Sequence, residues 1–226
     1  MAQVFKNFIA TTNTTGSAVT FLECPAGKTL IVRSINAYND NASDATQKLH
    51  LLDKSEDSTN TVVFADPDGY AITAKNAVTW TTRFVLEEGD KIGFETDVNA
   101  QRIAGSYVLL DSSSRTRYKH VSKKITTEDS YVSVLTAPAG HTIIMKTVSL
   151  ANISGSSASN NVIRLVADDN TYVPIETGTL ANGAFTSSSV TFVLEPGDSF
   201  QVLNTEQPFN VSIFYMELPI PPIRGQ

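Results

Sequence analysis

Several stretches carry residue types whose spacing could do chemistry. Residues 24–29, CPAGKT, end in the Gly-Lys-Thr of a phosphate-binding loop. Such a loop needs Gly-x4-Gly-Lys-Ser/Thr, so that consecutive backbone N–H groups face the phosphates ahead of a helix. The first glycine would fall at Leu22, and a β-rich TLIVRSINAY follows where the helix should begin. The stretch reads instead as a Pro-Gly turn feeding a strand. Glu87, Glu88 and Asp90 could form a general acid/base pair, but LEEGD is a glycine turn on which adjacent carboxylates are solvated.

Metal chemistry is equally weakly signalled. His50, His120 and His141 stand far apart, with no close His-x-His. DPDG (66–69) and ADDN (167–170) offer oxygen ligands for calcium, yet neither has the loop with a terminal bidentate glutamate, and DPDG is a good plain turn. No Gly-x-Ser-x-Gly motif occurs, and the serine runs SGSSAS (154–159) and SSS (187–189) read as flexible loop. The single Cys24 excludes an internal disulfide and reads as a small buried hydrophobe. The expectation is a non-enzyme with no catalytic residues, no metal and no cofactor.

The elements that would position any site come from a repeat. PAGKTLIVRSINAYN (25–39) returns as PAGHTIIMKTVSLAN (138–152), with Arg33 matched by Lys146 and Lys28 by His141. FVLEEGD (84–90) returns as FVLEPGD (192–198), and each copy closes on an apolar run, 106–111 and 211–218. Three landmarks in one order predict a tandem internal duplication of a unit of roughly 100 residues, too long for a solenoid repeat. Within each unit, short runs rich in Val, Ile, Thr and aromatics alternate with Gly, Pro, Asn and Asp clusters. The fold class expected is all-β: two tandem β-sandwich domains, immunoglobulin-like or jelly-roll-like. The division expected is 1–111, an N-terminal sandwich with an N-terminal arm; 112–124, a basic linker; 125–218, a C-terminal sandwich; and 219–226, a proline-rich arm.

Composition bounds the partners. The 226 residues can bury a real core, and 41% apolar with 18% charged residues is ordinary for a globular protein. A net charge of −6 argues against general attraction to nucleic acid or anionic lipid. No apolar run approaches the ~20 residues of a membrane span, and no secretion signal is read at the N-terminus. Candidate partner contacts lie in two places. Arg115, Arg117, Lys119, Lys123 and Lys124 make the linker a local cationic strip. Pro219, Ile220, Pro221, Pro222 and Ile223 make the C-terminus a stiff arm that loses little entropy on docking.

PAGKT-type turns entering a strand, a later LEPGD-type turn and a closing strand, twice over, resemble structural proteins of tailed bacteriophage virions: tail, neck, or head accessory and decoration proteins. The resemblance implies a non-enzymatic virion component, made in the host cytoplasm. It also implies assembly with other virion proteins, as a homo-oligomer within a symmetric particle, through sandwich faces and arms. The alternative is a carbohydrate-binding or adhesin-like sandwich, with Trp80, Tyr70, Tyr107 and Tyr172 as possible sugar platforms.

Overall fold

The computed structural model describes residues 4–12, 15–54, 61–81, 83–99, 101–112, 117–127, 129–157, 162–167, 170–176, 179–189, 191–203 and 208–220, with backbone alone for 61–68, 170 and 172–176. All the regular structure among them is strand. The first unit holds β1 (Val4–Thr12), β2 (Val19–Glu23), β3 (Lys28–Asn39), β4 (Ala45–Leu52), β5 (Thr61–Ile72), β6 (Ala77–Trp80), β7 (Phe84–Leu86), β8 (Lys91–Thr96) and β9 (Gln101–Asp111). The second holds β10 (Arg117–Ile125), β11 (Val132–Thr136), β12 (His141–Asn152), β13 (Val162–Ala167), β14 (Asn170–Glu176), β15 (Phe185–Ser188), β16 (Phe192–Leu194), β17 (Ser199–Leu203) and β18 (Phe209–Pro219).

Pairing is nested. β1 pairs with β9, β2 with β8, β3 with β6 and β7, and β4 with β5, all antiparallel. That is a long hairpin rolled on itself, the jelly roll, rather than an immunoglobulin arrangement. It yields sheet I, order β1-β9-β3-β6, facing sheet II, order β2-β8-β4-β5. The second unit repeats this order as sheet III, β10-β18-β12-β15, and sheet IV, β11-β17-β13-β14. One core packs between sheets I and II around Phe84, Phe94, Leu30 and Ile35; the other packs between III and IV around Phe200, Phe209 and Ile143.

The central strands show why the recurring residues recur. In β3 the buried apolar positions are Leu30 and Val32, then Ile35 and Ala37, a slip of one in the alternation. A bulge between Val32 and Ser34 absorbs the slip, so both halves of the strand keep their apolar face inward. β12 does the same with Ile143 and Met145, then Val148 and Leu150, around a bulge between Met145 and Thr147. Arg33 and Lys146 are thus the bulge residues. The Asn that ends each copy is buried: the Asn39 amide donates to the carbonyls of Ser43 and Ile72, and Asn152 donates to those of Ser156 and Leu180. The two recurrent turns are neighbours in space. Cys24 N–H donates to Asp90 O and Gly89 N–H to Cys24 O, just as Ala137 and Gly197 do with Asp198 and Ala137.

Four expectations are corrected. The basic linker is in large part strand β10, paired with β18 over nine positions, because Val121 and Ile125 face the second core while Tyr118, His120 and Ser122 face the other way. Its charge density hid that alternation. The N-terminal arm is strand β1, its counterpart against β9. DPDG is no free turn: it lies within edge strand β5, where residues 66–69 stand between Ala65 and Tyr70 as an irregularity opposite Lys48, and an edge tolerates Pro67. The SSS run is not loop throughout, since Ser187 and Ser188 belong to β15.

Candidate functional site: the seam between the two units

The opening lysine serves the fold. Gly27 has φ 67°, its N–H donates to Glu88 Oε2 at 2.8 Å, and Lys28 pairs with Asp111 on the last strand of its unit. In the second unit the residue opposite His141 is Pro219, and His141 reaches instead to Glu217, two positions back on β18, at 3.5 Å. Cys24 is buried, its thiol pushed up to about 12 chiefly by burial, so it stays protonated.

The chemistry-bearing groups gather where the units meet. Strands β5 and β7 of the first unit lie against β10 of the second, and β5 also meets β12, β15 and β18. Phe214 on β18 projects out of its own unit into the core cluster of the first, with its ring 5.9 Å from Phe84. Beside it, the buried His120 of β10 stands between two buried aspartates of the first unit. Nε2 lies 3.0 Å from Asp53 Oδ2 and Nδ1 3.5 Å from Asp90 Oδ2. His120 N–H also donates to Glu87 Oε1 at 3.3 Å. Burial alone would push the imidazole pKa down. The close approach of Asp53 and the negative charge of Asp90, Asp53 and Glu87 outweigh it and hold that pKa above the ordinary histidine value. Burial in turn raises Asp90 and Glu87.

Asp53, Asp90 and His120 are close enough for a metal ion to be considered. The geometry fits an imidazolium better, because each ring nitrogen faces a different carboxylate. A single ion could take only one of those nitrogens. Asp90 is further committed, accepting from the N–H groups of Lys54 and Glu87. The cluster is a charge clamp across the seam.

Next to the clamp, a cavity of about 740 Å³ opens between the outer faces of sheets I and III. Both bulge residues, Arg33 and Lys146, line it, with Arg83 from the segment between β6 and β7. Sequence reasoning matched Arg33 to Lys146 without seeing their common destination; the one-residue slip in apolar alternation was the signal. It also missed Asp53 and the clamp, for which separations of 30 to 67 positions among residues 53, 90 and 120 leave no local signal.

The sequence-derived partner contacts are dispersed. Lys119 pairs with the buried Glu217 at 2.8 Å, and Lys123 donates to Ser133 O at 3.0 Å, so both serve the second unit. Arg117 and Lys124 are exposed. Pro219 ends β18 opposite His141, and Ile220 N–H donates to Gly140 O at 2.8 Å, so the arm is pinned through Ile220. Arg115, Pro221, Pro222 and Ile223 lie outside the described residues. Among the aromatics proposed as sugar platforms, Tyr70 and Trp80 meet edge-on at 6.4 Å and Tyr107 packs near Phe8. The Tyr172 side chain, like those of Asp66, Asp68, Asp168 and Asp169, lies outside the described ones.

Fold and seam define an all-β protein of two jelly rolls joined face to edge. No protein-family model matches the chain, and comparison with curated proteins finds no sequence match. Among solved structures, the chain is similar to the major capsid protein P2 from bacteriophage PM2, with 10% identity over 100% of both chains and a TM-score of 0.41. It is also similar to a protein of Sulfolobus turreted icosahedral virus, with 12% identity over 96% of this chain and a TM-score of 0.35; this chain spans 60% of that protein's length. A third likeness is the PBSX exported protein XepA, with 12% identity over 94% of this chain and 86% of that one and a TM-score of 0.30. At such TM-scores the likeness is distant and carries no functional weight.

Proposed function

We propose that this protein is a non-enzymatic structural component of a virion. In this reading it assembles by repeating between copies the contact that joins its own two units. Jelly rolls also serve lectins and cupins, so the fold alone does not choose. The carrying observation is a mismatch between equivalent residues. Val85, central in β7, is 5% exposed in the seam; Val193, central in β16, is 55% exposed. Tyr118, second in β10, packs against the first unit's core, whereas its counterpart in β1, Phe5, is 66% exposed and Ile9 80%. Each unit therefore keeps one uncovered half of the contact that the seam makes, Val193 on the second and Phe5 with Ile9 on the first, with Phe5 also on the wall of the cavity beside the seam. Edge strands and exposed apolar groups of this kind are normally covered. Head-to-tail contact between two such halves is heterologous and closes into a ring where the rotation permits.

The motif resemblance supports a tailed-bacteriophage particle as the setting, and the arm beyond Ile220 supplies a further contact to neighbouring virion proteins. Light scattering after size exclusion tests the assembly. The full chain is expected to run as a closed oligomer, and Val193→Asp, or Phe5→Asp with Ile9→Asp, is expected to give monomers with nearly unchanged melting temperature. A wild-type monomer at high concentration that never co-purifies with particles overturns the reading.

A further inference from the structure

The cavity beside the seam shares Phe5 with the assembly surface, but it also has a charge pattern that apolar contact through Val193 and Phe5 does not use. We propose that it is a binding site for an acidic peptide segment of a partner protein, with carboxylates set between apolar side chains. Three cations line it, Arg33, Arg83 and Lys146, and no Asp or Glu lines it among the described residues. None of the three has an ion-pair partner among the described residues. All three are exposed, so their charge costs nothing to keep without a ligand and is free to meet one.

Their placement is built into the fold. Arg33 and Lys146 each occupy the bulge of a central strand, and a bulge re-aims its side chain out of the regular pleat. Two units with the same strand order thus aim one cation each at the same space. The volume falls within the range of ordinary ligand clefts. Ser187 and Ser189 add neutral donors along one wall, while Val85 and Phe214 give an apolar floor.

A peptide is favoured over nucleic acid by the lining. Nucleic-acid binding draws on many phosphate contacts along an open track, whereas here three cations flank an apolar floor. Carboxylates meeting arginine forks, with aliphatic side chains between them, match that lining.

The test uses the full-length protein and a dye-labelled peptide alternating glutamate and valine, followed by fluorescence anisotropy. Saturable binding is expected, weakened at least tenfold by Arg33→Gln, Arg83→Gln and Lys146→Gln together, and weakened by raised salt. The glutamine version of the peptide is expected not to compete. The three residues are exposed, so circular dichroism and melting should match wild type, and the single Lys146→Gln variant serves as a milder check. Because Phe5 lines the same cavity, light scattering is run in parallel on the triple variant: lost peptide binding with an unchanged oligomeric state separates the site from assembly, and loss of both overturns it as a peptide site. Absence of saturable binding, or equal binding by the triple variant, overturns the site. So does tighter binding of a thymidine decamer than of the peptide, which would make it a nucleic-acid groove.

Discussion

His120 Nε2 of the second jelly roll lies 3.0 Å from Asp53 Oδ2 of the first, and both side chains are buried. This contact, with Asp90 on the other ring nitrogen, gives the seam its pH dependence. The folded pKa of His120 is raised above the unfolded value of about 6.5. Its contribution is fully present below that unfolded value and is lost as pH climbs through the folded one. Asp90 and Glu87, also raised, act with the same sign from the ordinary carboxylate range upward. The melting temperature is therefore expected to fall in calorimetry as pH rises above the unfolded histidine value of about 6.5. His120→Gln should flatten that fall and cost about 3–5 kcal/mol at pH 6, because it leaves two buried carboxylates facing an uncharged group. An unchanged pH profile in the variant would remove the clamp from the account.

Phe214 should bind the units together more than it stabilises its own. It belongs to the first unit's core cluster although β18 belongs to the second. Phe214→Ala is expected to cost about 3–5 kcal/mol. A comparable truncation inside the second core, Phe209→Ala, should leave the seam intact; hydrogen exchange at β7 and β10 would distinguish the two.

Gly105 permits a close approach of three strands. A Cβ there would stand 2.4 Å from Ser34 O and as close to the ring of Phe8. Since one contact is backbone, the ring alone cannot relieve it. Gly105→Ala is expected to destabilise by about 1–3 kcal/mol in denaturant unfolding, with the β1–β9 pairing most exposed to exchange. A neutral result would mean the strands part readily.

Lys28 should have no role in nucleotide binding. Its ammonium is paired with Asp111, and the Gly27 N–H is taken by Glu88. Isothermal titration with ATP is expected to show no saturable heat, and Lys28→Ala should shift the melting temperature only slightly because the pair is exposed. Saturable binding lost in that variant would restore the phosphate-loop reading.

Local pattern made much of this legible. Strand periodicity and turn residues are properties of neighbouring positions, so the all-β class, the two units and the paired PAGKT and LEEGD turns could be read from 25–39, 84–90 and their second appearances. The same locality explains the errors at β10 and β1. There the burying surfaces come from elsewhere: Tyr118 and His120 are covered by the first unit, and Lys119 is paired by Glu217. A charged run looks like linker when its partners are distant in sequence.

By itself, then, the sequence determined which segments extend, where they turn and that the pattern occurs twice, because those follow from side-chain alternation and backbone preference. Only the tertiary structure decided the rest. Nesting of first strand with last made the sandwiches jelly rolls, a choice among long-range pairings that share one local pattern. Docking of sheet III on β5 and β7 brought residues 53, 90 and 120 together and aimed Arg33 and Lys146 into one cavity. These are consequences of two packed surfaces meeting, and no stretch of adjacent residues encodes that meeting.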